Sequence, residues 1–142
     1  MTLLPLSILI PFLFIILALL IKSSHKKSIL AILFAAINFL AAGYILLQVN
    51  KFGMLKAQMG SWQAPFGITL VADRFSAFML FISAIIYLAV TIYSVQSVDK
   101  QRLNNNYFLF AFGILMGVNG SFLSGDIFNL YVWFEVMLMA SF

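Results

Sequence analysis

The strongest constraint on this chain is residues 3–21, an apolar run with no charged side chain in it. An α-helix needs roughly 20 mostly apolar residues to cross about 30 Å of hydrocarbon. Residues 3–21 meet that requirement, and so do 28–49, 75–95 and 107–123. A fifth apolar run opens at 127 and is still apolar at 142. At about 1.5 Å per residue it reaches roughly 24 Å, short of a full crossing. It carries no closing charge or cap, so it is expected to be the incomplete last span of a longer chain. In the first run, Lys22, Lys26 and Lys27 come after the apolar residues and nothing basic comes before them. A cleaved signal peptide has the opposite order, so the run reads as a retained span. Pro5 and Pro11 fall near its start, where a helix has fewer backbone bonds to lose.

Composition agrees with lipid as the solvent. Apolar residues make up 64% of the chain and charged residues 8%, with a mean hydropathy of +1.10. A water-facing surface ordinarily takes about a quarter charged residues. The expected fold is therefore an all-α membrane protein, a single bundle of about five transmembrane helices. Cysteine is absent, which removes disulfides, thiol chemistry and cysteine-ligated metals. The one histidine, His25, lies in the polar segment Ser23-Ser24-His25-Lys26-Lys27 and makes no metal site alone. The net charge of +4 is scattered, with no long basic run to grip nucleic acid. No nucleophile–base pair or phosphate-binding glycine loop appears, so the expectation is a non-enzyme without cofactor or metal.

Residues 50–74 form the longest polar stretch. Gly53, Gly60, Pro65 and Gly67 punctuate it, and Ile68-Thr69-Leu70-Val71 has strand composition. The segment reads as a compact hairpin-like external loop, with Trp62 and Phe66 at membrane level. Placing the N-terminus outside puts Lys22, Lys26, Lys27, Lys100 and Arg102 in the cytoplasm and leaves Lys51, Lys56 and Arg74 outside. The positive-inside rule favours that orientation.

Two acidic residues carry the functional expectation. Asp126 precedes the fifth run and is placed to cap its first turn. Glu135 lies nine residues later, roughly 13 Å along the helix axis, near the bilayer midplane. A carboxylate at that depth costs on the order of 2.5–3.5 kcal/mol on insertion scales. Such groups ordinarily face a bundle interior or a wet cavity and mark ion paths. In the fourth run Gly113, Gly117 and Ser121 repeat every fourth position, flanked by Gly120 and Ser124, a pattern for close helix approach. Asn119 and Asn129 fit two roles equally: ordering water toward Glu135, or hydrogen-bonding between helices. The sequon Asn119-Gly120-Ser121 carries no meaning inside a span.

Three stretches together resemble a known family. They are Gly60-Ser61-Trp62-Gln63-Ala64-Pro65-Phe66-Gly67-Ile68 with Val71-Ala72-Asp73, then Gly117-Val118-Asn119-Gly120-Ser121-Phe122-Leu123-Ser124-Gly125-Asp126, then Ile127-Phe128-Asn129-Leu130-Tyr131-Val132-Trp133-Phe134-Glu135-Val136-Met137-Leu138-Met139-Ala140-Ser141-Phe142. They resemble the N-terminal third of the D-type subunit of the Mrp-type multisubunit Na+/H+ antiporters. That family is related to the antiporter-like proton-pumping subunits of respiratory complex I and membrane-bound hydrogenases. The resemblance runs from about Trp62 to the end; the first two spans match in hydropathy and length.

The resemblance implies a plasma-membrane, multi-pass subunit that assembles with other antiporter subunits and moves H+ against Na+. Glu135 falls on the family's essential fifth-helix glutamate, a proton relay paired with a lysine on a later helix. Asp126 falls on the acidic residue that opens the same helix. The implied inverted repeats, with their broken helices, would lie beyond Phe142, as would the lysine, since no lysine here sits inside a span. Two other readings stay open: a pump subunit of a redox-driven complex, and a membrane scaffold that transports nothing.

Overall fold

The structure, a computed structural model, describes residues 3–59, 67–104 and 106–142. Six helices and one strand pair follow in chain order: α1 (Leu6–Leu20), α2 (Ser24–Phe52), β1 (Leu55–Gln58), β2 (Thr69–Ala72), α3 (Arg74–Ser97), α4 (Lys100–Asn104), α5 (Tyr107–Leu123) and α6 (Ile127–Ser141). Among the described residues, α2 and α3 are the two helices long and apolar enough to cross a membrane. The other apolar helices, α1, α5 and α6, are shorter, at 15, 17 and 15 residues. α2, with 29 residues, is about 43 Å long at 1.5 Å per residue, so it tilts or protrudes.

α5 is the central helix and packs against α6, α1 and α3; α2 pairs with α3. Small residues at the contacts permit this closeness. Ala31, Ala35 and Ala42 of α2 are fully buried, as are Ala77 and Ala84 of α3. The core lies in two parts. One surrounds Leu4, Val49, Leu70, Leu80 and Leu123 at the strand-pair end. The other gathers Phe14, Leu103, Phe108 and Phe112 toward the opposite end, where the Phe14 and Phe112 rings stack with centroids 3.8 Å apart.

The ends of the helices follow from local chemistry. Gly53 ends α2 at φ 79, a backbone conformation that favours glycine, and its amide returns to the Val49 carbonyl. α3 opens on a capping box: the Asp73 carboxylate accepts from the Ser76 amide at 2.7 Å, and the Asp73 amide donates to Ser76 Oγ at 2.9 Å. These bonds to the Ser76 backbone and hydroxyl hold the Asp73 carboxyl below its ordinary value of 3.8. Within the helices Ser28, Ser83, Thr91 and Ser121, and just past α5 Ser124, each donate to the carbonyl four residues back, so their hydroxyls need no other partner.

The strand pair is antiparallel, in the register Leu55↔Ala72 to Gln58↔Thr69. The strand composition at 68–71 therefore sits one residue off the observed strand. Gly60, Trp62, Pro65 and Phe66 lie outside the described residues. The turn between α5 and α6 is tied to this pair: Leu70 bridges Ser124, and the Gly125 amide donates to the Thr69 carbonyl at 2.8 Å. A side chain at Gly125 would come within 2.8 Å of both that carbonyl and Val71 Cγ2, so the turn lies flat on the strand. At the opposite end, Lys27 Nζ donates to Asn106 Oδ1 at 2.6 Å, joining the start of α2 to the start of α5.

Candidate functional site: two faces of α6

Asp126 and Glu135 both belong to α6, but the helix separates them. Nine residues at 3.6 per turn is about two and a half turns, which puts the two carboxylates on opposite faces. Asp126, Asn129, Trp133, Met137 and Ala140, spaced by three and four, form the face toward α5. Three glycines of α5 receive it. A Cβ at Gly113 would meet the Ala140 Cβ at 2.9 Å, one at Gly117 would overlap Met137, and one at Gly120 would overlap the Trp133 ring. The small-residue pattern in the fourth run is thus the seat of α6. Gly113 and Ala140 also line the groove beside Glu135.

Asp126 caps α6, with Oδ1 accepting from the Asn129 amide at 2.6 Å. The capping role read from sequence is therefore present. Asp126 Oδ2, Asn129 Nδ2 and Trp133 Nε1 are buried without a hydrogen-bond partner among the described residues. Asn129 itself is 4% exposed.

Asn119 takes the interhelical role. Its Nδ2 donates to the Ser7 carbonyl at 2.7 Å and to Asn38 Oδ1 at 3.2 Å, joining α5 to α1 and α2. The Ser7 carbonyl is available because of Pro11. An α-helix bonds each carbonyl to the amide four residues on, and proline has no amide to give. Asn119 supplies the missing donor, which is how a neighbouring helix makes a proline tolerable at membrane depth. Ser7 and Asn38 were not singled out from sequence, although two signals pointed to them. Ser7 lies four residues before Pro11, and Asn38 is an amide in the middle of an apolar span.

Glu135 is exposed, flanked by the exposed Val132, Phe134, Leu138 and Met139. Among the described residues its hydrogen-bond partner is the Tyr131 hydroxyl, one turn back on the same helix, which donates to Oε1. Tyr131 is a site neighbour that the sequence did not single out, although its spacing of four makes the contact available. Beside Glu135 a groove of about 420 Å³ runs between α6, α5 and α1, lined by Val132, Val136, Met139, Leu109, Phe110 and Ile15 among others. The carboxylate lies on the edge of this otherwise apolar groove. Among the described residues no group of three metal-ligating side chains comes together.

No family model matches the chain. The D-type subunit of the Na+/H+ antiporter of Alkalihalophilus pseudofirmus is 38% identical over 138 residues, which is 96% of this chain and 28% of that protein. A chain of the Mrp complex from Dietzia sp. superposes with a TM-score of 0.80 at 25% identity, covering 99% of this chain and 27% of its own. A chain of the membrane-bound sulfane sulfur reductase, an archaeal respiratory membrane complex, has the same fold. It superposes with a TM-score of 0.83 at 24% identity, over 98% of this chain and 28% of its own. The chain is thus a homologue of the D-type antiporter subunits in sequence and in fold, and it spans a little over a quarter of the length of the relatives it matches.

Proposed function

We propose that the parent protein is a proton-translocating membrane subunit of a multisubunit Na+/H+ antiporter, with Glu135 as a protonatable relay. The observation that carries this reading is the placement of Glu135. It is an acidic side chain on the apolar α6 of an antiporter-subunit homologue, at the edge of the groove between α6, α5 and α1, and among the described residues its hydrogen-bond partner is Tyr131. A group buried for packing would sit on the other face with Trp133 and Met137. A cationic side chain arriving at the exposed face would favour the ionised carboxylate, and its withdrawal would raise the proton affinity. The subunit lies in the plasma membrane with its N-terminus outside, consistent with the lysines and arginines at the α1–α2 and α3–α5 connections. Other antiporter subunits are its partners.

The test is Glu135→Gln in the complete subunit, assayed as sodium-dependent proton exchange in everted vesicles. The relay predicts loss of exchange with a normally assembled complex. Full activity overturns it, and a fall in complex yield with unchanged activity per complex assigns Glu135 to assembly instead. A second reading couples the same fold to redox chemistry and rests on the likeness to the sulfane sulfur reductase chain. Gene neighbours separate the two: small antiporter subunits in one case, cofactor-binding dehydrogenase or hydrogenase subunits in the other.

A further inference from the structure

We propose that a cavity at the end of the bundle opposite the strand pair binds the headgroup of an anionic phospholipid. The cavity, about 420 Å³, lies where α2 begins and α3 ends. Ser24, His25, Ser28 and Gln96 give it polar walls, and Val95 and Leu103 give it an apolar side. Because α2 and α3 are the two long apolar helices, their shared end marks the boundary between hydrocarbon and water, the level at which headgroups sit.

Charge selects the kind of headgroup. This end of the chain holds Lys22, Lys26, Lys27, Lys100 and Arg102 against a single acid, Asp99. The strand-pair end holds Lys51, Lys56 and Arg74 against Asp73 and Asp126, close to balance. Among the described residues no lysine or arginine lines the cavity itself; Lys22, Lys26 and Arg102 lie in the segments that flank it, near the lining residues Ser24, His25 and Leu103. Basic residues at the membrane boundary attract anionic headgroups. The walls supply directional donors as well. Ser23 makes no side-chain cap on α2, so first-turn amides at Ser24 and His25 remain available beside the Ser24 hydroxyl, the His25 ring and the Gln96 amide. Ser28 Oγ does not join them, since it donates to the Ser24 carbonyl at 3.1 Å. The apolar side at Val95 and Leu103 faces the start of the acyl chains. A lipid satisfies both walls, whereas a free anion satisfies only one. The inference does not depend on which side of the membrane this end occupies, nor on the relay.

The complete subunit, purified in its complex, would be titrated with phosphatidylglycerol and separately with phosphatidylcholine, and retained lipid counted by native mass spectrometry. Wild type retains phosphatidylglycerol preferentially. The exposed pair His25→Glu with Arg102→Glu lowers that retention by roughly tenfold or more and leaves phosphatidylcholine unchanged. Ser24→Glu does the same while strengthening the α2 N-terminus, where a negative charge meets the positive end of the helix dipole. Lost lipid with undiminished thermal stability in that variant is therefore not misfolding. Lys51→Glu with Lys56→Glu, at the other end, leaves retention unchanged. Equal retention of the two lipids by wild type overturns the proposal, as does equal loss in the Lys51/Lys56 variant. Inorganic phosphate binding as tightly as phosphatidylglycerol also overturns it, by assigning the cavity to a soluble anion.

Discussion

The two faces of α6 use the same kind of polar residue in opposite ways. On the face toward α5, Asp126 accepts from the Asn129 amide, and the Trp133 ring lies against Gly120, where no side chain fits. On the other face Glu135 is open and, among the described residues, is bonded to Tyr131. The first arrangement uses the Asp126 carboxylate as a cap and the Trp133 ring as packing. The second leaves a carboxylate open at the edge of an apolar groove. Residues that serve packing and residues that serve exchange should therefore separate in mutational tests on the complete subunit.

The largest effect on stability is expected on the packed face. Gly120→Leu forces the side chain into the Trp133 ring and should cost about 3 kcal/mol, read as loss of folded protein in a denaturing-detergent titration. An unchanged midpoint would break the comparison, because α6 would not need that contact. Asn119→Leu should cost roughly 1–2 kcal/mol, because the Ser7 carbonyl loses its donor. Adding Pro11→Ala restores an amide four residues beyond Ser7, so at least half of that cost should disappear in the double variant. Strict additivity would mean that Asn119 acts through Asn38 alone.

Asp73→Ala should cost about 1 kcal/mol as a lost cap, seen as faster amide exchange at residues 74–77. The pH dependence has a definite sign. The folded carboxyl sits below 3.8, so its stabilisation is complete above that value and disappears as the pH falls through the lower, folded one. The wild-type protein should lose protection at α3's start only in that acid range, and the Asp73→Ala variant should show no such step. The smallest stability effect belongs to Glu135→Gln, at under about 0.5 kcal/mol, although the same change is expected to abolish exchange. A large destabilisation there would make Glu135 one more packing residue and erase the distinction between the faces.

Much of this was legible in the residues because lipid imposes a simple rule: backbone groups must be bonded within the helix and side chains must be apolar. Residues 28–49 and 75–95 are core stretches of α2 and α3 for that reason. The observed ends lie a few residues away because caps, not hydropathy, stop a helix. Asp73 with Ser76 begins α3, and Gly53 ends α2. The short α4 could not be read from hydropathy, since its segment Lys100–Asn104 has no apolar run. The strand partner Leu55–Gln58 was hidden for another reason. Its pairing with Thr69–Ala72 is a contact between distant residues, and alternation over four positions is too short a signal to show it.

The candidate site divides along the same line. The sequence by itself determined that Glu135 stands deep in an apolar helix and that Asp126 opens it. It also determined that the two lie half a turn out of phase, because depth and phase follow from counting residues along one helix. Only the tertiary structure decided which phase is packed. Three glycines of α5 left room for Trp133, Met137 and Ala140, and a proline in α1 left a carbonyl for Asn119. Those choices depend on the fit between helices far apart in the chain, and no pattern within a single helix encodes which neighbour will fill the space.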